Sequence, residues 1–140
     1  MVETLNIKAT EDSPEVVLNS SKGFMSFEGT SWLEDAYSFY EPLYQWVKEY
    51  FDAPEQVTDI EFKFIYLNTS SAKQIARLVS IINNKKGGHI VRVKWFYEKD
   101  DNEMLKIGKK YSGLLSMGFQ FIETEPQLEK EEEEGVYNII

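Results

Sequence analysis

Apolar residues recur along the chain with two alternating periods. Glu15 to Leu18 and Phe24 to Glu28 are short β-prone runs flanking Asn19-Ser20-Ser21-Lys22-Gly23, a polar connection ending in glycine, and together they predict a hairpin. Within Asp35 to Phe51, the residues Phe39, Leu43, Trp46, Val47 and Tyr50 fall three and four apart, the spacing of a helix with one buried face. Pro42 lies inside that stretch, so either the helix kinks there or a short first turn ends and the main helix starts with Pro42 in its first turn. Ile60, Phe62, Phe64 and Tyr66 alternate with Glu61, Lys63 and Ile65, which predicts a strand with those aromatic residues on one face. Ile75, Leu78, Val79 and Ile82 return to the helical period, and Asn83-Asn84-Lys85-Lys86-Gly87-Gly88 stops that helix. A strand over Ile90 to Tyr97 presents Val91, Val93 and Trp95. Asp100-Asp101-Asn102-Glu103 then opens a third helix carrying Met104, Leu105, Tyr111 and Leu115, and Phe119 to Ile122 makes a last strand.

Strands that alternate with helices of these lengths imply crossover units. The expected fold is α/β: a single mixed, mostly parallel sheet with an N-terminal antiparallel hairpin and about three helices. The length of 140 residues suits one domain. Charge divides the chain unevenly, because Glu123 to Glu134 holds seven Glu against one Lys. Such a run repels itself and offers little to bury, so residues 1–124 are read as the domain and 125–140 as an acidic C-terminal tail.

Composition narrows the chemistry. The formal net charge of −9 opposes neutralisation of nucleic-acid phosphates. There is no cysteine, which removes disulfides, thiolate nucleophiles and sulfur-ligated zinc, and His89 is the one histidine. No apolar run reaches membrane-spanning length and the first ten residues lack a signal-like pattern, so a cytoplasmic protein with no membrane partner is expected. Asp100, Asp101 and Glu103 read as partners of a helix dipole rather than as cation ligands. Asn84 to Gly88 follows a helix and lacks the order of a phosphate-cradling loop. No cofactor is implied.

The junction Tyr66-Leu67-Asn68-Thr69-Ser70-Ser71-Ala72-Lys73 leads from the carboxyl end of a central strand into a helix, the edge where ligands gather in open α/β sheets. Ser71 is followed three residues on by Gln74, the one hydroxyl there with a capping-box partner, so Ser71 is expected as the N-cap. Thr69 then sits just before the helix with its hydroxyl free. A phosphate at that point would lie beside unpaired N–H groups and the positive end of the helix dipole. From pattern alone, turn and capping roles are the favoured explanation of Asn68 to Ser71. An alternative is a small α/β ligand-binding domain or enzyme using loop 68–71 as a pocket, with Ser70 or Thr69 as nucleophile. That reading lacks a base near the loop and a glycine-flanked elbow.

Leu67-Asn68-Thr69-Ser70-Ser71-x-Lys73, taken with Phe27-Glu28-Gly29-x-Ser31, Glu34-Asp35-x-x-x-Phe39-Tyr40-x-Pro42-Leu43 and Val93-x-Trp95-x-Tyr97, resembles the SiaC family of bacterial regulatory phosphoproteins from about Pro14 to Ile122. The resemblance implies a layout and logic similar to the anti-sigma factor antagonist (STAS) proteins. It implies phosphorylation of one hydroxyl by a dedicated Ser/Thr kinase, removal by a metal-dependent Ser/Thr phosphatase, and an unphosphorylated form that engages a target, a diguanylate cyclase in the SiaC system. Carried onto this chain, the phosphoacceptor is Thr69. Asn68, Ser70 and Ser71 shape the loop a partner reads, and Lys73 stands near an added phosphate. The helix that follows is expected to expose Lys73, Gln74 and Arg77 to the partner and to bury Ile75, Leu78 and Ile82. Leu33 departs from the proline expected before Glu34, and the acidic tail has no counterpart in short family members.

Overall fold

A computed structural model describes residues 2–126. Nine elements follow in order: β1 (Leu5–Ile7), β2 (Glu15–Asn19), β3 (Phe24–Ser31), α1 (Ala36–Tyr50), β4 (Val57–Leu67), α2 (Thr69–Lys85), β5 (Ile90–Glu98), α3 (Asn102–Leu114) and β6 (Gly118–Thr124). They build one six-stranded sheet in the order β1-β2-β3-β4-β5-β6. The β2–β3 hairpin is antiparallel as expected, and β3 through β6 pair in parallel. β1 adds an antiparallel edge beyond the expected elements, and its three residues are too few to show a period. The expected acidic tail lies, apart from its first two residues, outside the described residues.

Because each helix joins adjacent parallel strands and the strand order always advances in one direction, right-handed crossovers put α1, α2 and α3 on the same face of the sheet. That face carries the core: Met25 and Phe27 of β3, Ile60, Phe62 and Phe64 of β4, and Val93 and Trp95 of β5 are buried against the helices. Among the described residues no helix covers the opposite face, which carries charge, with the Arg92 guanidinium paired to both Asp59 carboxylate oxygens at 2.7 and 2.9 Å. A sheet whose order never reverses has no switch-point crevice at its strand ends.

Of the two alternatives for Pro42, a main helix starting there is excluded: α1 runs through it from Ala36 to Tyr50, and its buried stripe includes Tyr40 and Tyr44 while Phe39 is half-buried. Pro42 is exposed, so the Ser38 carbonyl that loses its donor faces solvent, and the packing of Leu43, Trp46 and Val47 outweighs the defect. In β4 the alternation holds only to Phe64. The β3–β4 register shifts between Gly29 and Thr30, so that Gly29 pairs with Phe64 and Thr30 with Tyr66; Ile65 is the extra residue. Ile65 and Tyr66 both face out, and Leu67 is buried in the place expected for Tyr66.

Candidate functional site

The junction between β4 and α2 is organised by Asn68. Its backbone is extended, its Oδ1 accepts from the Ser71 N–H at 2.9 Å, and its Nδ2 donates to the Leu33 carbonyl at 3.0 Å. Its N–H donates to the Ser31 carbonyl and its carbonyl accepts from the Ala72 N–H. Asn68 is therefore the N-cap, which corrects the assignment to Ser71. An asparagine three residues before the orphan N–H reaches it directly, and Gln74 does not fold back to make a capping box. The Gln74 side chain is held elsewhere, half-buried where exposure was expected: the Tyr44 hydroxyl bonds at 2.6 Å to its Oε1 and at 2.8 Å to its carbonyl.

Thr69 becomes the first residue of α2 rather than the one before it. It is exposed, and among the described residues its side chain makes no hydrogen bond. Ser70 is half-buried. Ser71 is fully buried, which removes it from any surface a partner touches and corrects that part of the expectation. Its Oγ accepts from Ser31 Oγ at 2.7 Å, and Ser31 Oγ accepts from the Tyr40 hydroxyl at 2.8 Å. Burial pushes the Tyr40 phenol well above its ordinary range, with the Ser31 hydrogen bond pulling part of the way back, so Tyr40 stays protonated and donates. These hydroxyls tie β3, α1 and α2 together directly beneath the Asn68–Ser71 loop. Sequence reading gave Ser31 and Tyr40 no role beyond the resemblance; the signal available was a hydroxyl at positions that periodicity assigns to the core.

Lys73 and Arg77 are exposed one and two turns beyond Thr69, so the three residues run along one side of α2. The Arg77 guanidinium lies over the rings of Tyr37 and Tyr44, 5.5 and 5.3 Å from their centroids. Tyr111 of α3 adds a hydrogen bond from its hydroxyl to the Ala72 carbonyl at 2.7 Å, and burial pushes its phenol up to about 12. Ile75, Leu78 and Ile82 are buried as expected. Next to the loop, sequence reading missed the exposed rings of Trp32, Tyr37 and Tyr66.

Elsewhere, Asp101 caps α3 by accepting from the Met104 N–H at 3.1 Å, which is the dipole role expected for that acidic run. Among the described residues no cluster of three His, Asp or Glu side chains is placed to hold a metal ion, and no helix is long and apolar enough to cross a membrane.

This arrangement offers a solvent-facing hydroxyl at a helix start, with Lys73 and Arg77 one and two turns further along the same helix. Among the described residues, no side chain is hydrogen-bonded to that hydroxyl to activate it as a nucleophile. Solved structures share the fold. SiaC of Pseudomonas aeruginosa superposes with a TM-score of 0.79 at 22% identity, covering 86% of this chain and 98% of that one. A chain of the crystal structure of the diguanylate cyclase SiaD in complex with its activator SiaC, from the same organism, superposes with a TM-score of 0.78 at 23% identity, covering 86% of this chain and 99% of that one. An uncharacterised protein of Pseudomonas aeruginosa strain UCBPP-PA14 is 22% identical over 116 residues, 82% of this chain and 92% of that relative. The model of the SiaC family regulatory phosphoproteins matches residues 7–124, a span that holds the whole β4–α2 junction and all three helices, and the chain belongs to that family.

Proposed function

We propose that the chain is a non-enzymatic partner switch, phosphorylated on Thr69 by a cognate Ser/Thr kinase and dephosphorylated by a metal-dependent phosphatase. The observation that carries this reading is the division of labour at the helix start: Asn68 does the capping, and the adjacent Thr69 hydroxyl is exposed and uncommitted. A phosphate there adds about −1.5 to −2 charge beside the first N–H groups of α2 without breaking a bond the fold relies on. The unphosphorylated face, with Asn68, Ser70, Lys73, Gln74 and Arg77 around Thr69, binds the target. For that target we assign a diguanylate cyclase, since the related SiaC of Pseudomonas aeruginosa is the activator of the cyclase SiaD. Adding charge and bulk to a complementary face costs a few kcal/mol of interface energy, and about 1.4 kcal/mol is tenfold in affinity, enough to empty the complex.

The experiment is intact mass of the chain taken from its own cells, with and without phosphatase treatment, followed by localisation of the phosphate. The modification should map to Thr69 and vanish in Thr69→Ala. Thr69→Glu should weaken binding to the purified cyclase while leaving the melting temperature near that of the unaltered chain. A chain never modified in cells that contain its kinase, or a Thr69→Glu variant that binds as before, would sink the proposal.

A further inference from the structure

Among the described residues, five large apolar side chains stand well exposed: Trp32, Tyr37, Ile65, Tyr66 and Ile90. Ile90 begins β5 at the far end of the sheet. The other four belong to the end where Thr69 lies, Trp32 just past β3, Ile65 and Tyr66 at the close of β4, and Tyr37 in the first turn of α1. Trp32 is 63% exposed and Tyr66 50%, yet their rings meet edge to face with centroids 6.1 Å apart. The backbone beneath the pair is held on both strands. The Trp32 backbone N–H is bonded to the Asp12 carbonyl at 2.8 Å, and the register slip opposite Ile65 is what turns Tyr66 outward.

The pair is also joined to the switch. Trp32 lies between Ser31 and Leu33, whose carbonyls both accept from Asn68, and Tyr66 precedes Thr69 by three residues. Charge is divided around it. Glu11, Asp12, Glu34 and Asp35 are exposed on the Trp32 side, where the Ser38 hydrogen bonds hold the Asp35 carboxyl below its ordinary range, while Lys73 and Arg77 occupy the α2 side.

We propose that Trp32 and Tyr66 form the apolar anchor of the target-binding face. Their partner is a protein surface presenting an aliphatic side chain between a basic group, facing Glu34 and Asp35, and an acidic group, facing Lys73. Preformed Trp and Tyr rings next to an uncommitted polar loop are the makings of an interface centre. The charge division also gives phosphorylation its sign. A phosphate on Thr69 falls on the cationic half, where the partner is acidic, so it repels; a partner basic at that point would be drawn in.

This inference rests on the partner-switch reading, and the test separates the two. Purified diguanylate cyclase from the same cells is titrated into the unphosphorylated chain. Trp32 is the exposed tryptophan, Trp46 and Trp95 being 6% and 0% exposed, so binding should blue-shift the emission and protect it from acrylamide. Trp32→Ala and Tyr66→Ala should each weaken binding roughly 10- to 30-fold at an unchanged melting temperature, and Ile90→Ala should bind normally. Glu34→Lys should weaken it as well. Loss of binding in Thr69→Glu together with normal binding by Trp32→Ala and Tyr66→Ala overturns the anchor alone. An unaltered chain that ignores the cyclase overturns both readings. Unmoved Trp32 emission on binding, stronger binding by Glu34→Lys, or a self-associated dimer that Trp32→Ala dissolves each overturns the assigned occupant.

Discussion

Asn68 commits its N–H, its carbonyl and both ends of its side-chain amide to neighbouring chain, and Thr69 beside it leaves its hydroxyl in solvent. The two substitutions should therefore separate in stability. Asn68→Ala removes the cap and the tie to Leu33, and is expected to cost about 1 to 2 kcal/mol. Thr69→Ala removes no bond and should change stability by less than about 0.5 kcal/mol. Urea unfolding of both variants checks this, and a Thr69→Ala loss as large as that of Asn68→Ala would make Thr69 structural. The sequence pointed to this junction, because a polar run after an alternating strand and before a helical period is visible in one dimension. It did not distinguish the capping residue. Four adjacent residues all had capping side chains, and the choice was made by Leu33 and Ser31, which lie more than thirty positions away.

At the level of elements, periodicity was legible wherever one face of the sheet or helix met the core without interruption. It failed at β1, which is three residues long, and at the end of β4, where one inserted residue inverts the alternation. The inversion is the element-scale event that exposes Tyr66, and nothing in Ile65-Tyr66-Leu67 read alone announces it. A contact equally hidden from pattern lies between α3 and β5. A Cβ on Gly108 would come within 2.5 Å of the Trp95 ring, and that ring is anchored by a hydrogen bond from its indole N–H to the Met104 carbonyl at 3.0 Å. Trp95 is fully buried among Phe62, Phe64 and Tyr111 and has nowhere to retreat. Gly108→Ala, a favourable change in an unconstrained helix, is expected instead to destabilise by about 1 to 3 kcal/mol. A thermal melt showing stabilisation would mean that α3 moves away from the sheet at little cost.

In the whole molecule, α2 is central: α1 reaches it through the Tyr44 hydroxyl, α3 through the Tyr111 hydroxyl, and β3 through the Tyr40–Ser31–Ser71 chain. Three tyrosines in this arrangement give the fold an alkaline limit. Burial raises all three phenols, and for Tyr111 the value moves from 10.0 to about 12. The folded chain holds these protons more tightly than the unfolded chain does. Their contribution is therefore complete below about pH 10, where both forms are protonated. As pH rises from about 10 towards 12, the unfolded chain releases its protons first, and stability falls until the folded phenols also ionise. Urea midpoints measured between pH 8 and pH 11.5 should decline steeply above about 10. Tyr111→Phe should start lower, having lost the bond to Ala72, and then decline less steeply because one of the three linked groups is gone. Parallel curves for the two proteins would show that the Tyr111 proton is not linked to folding.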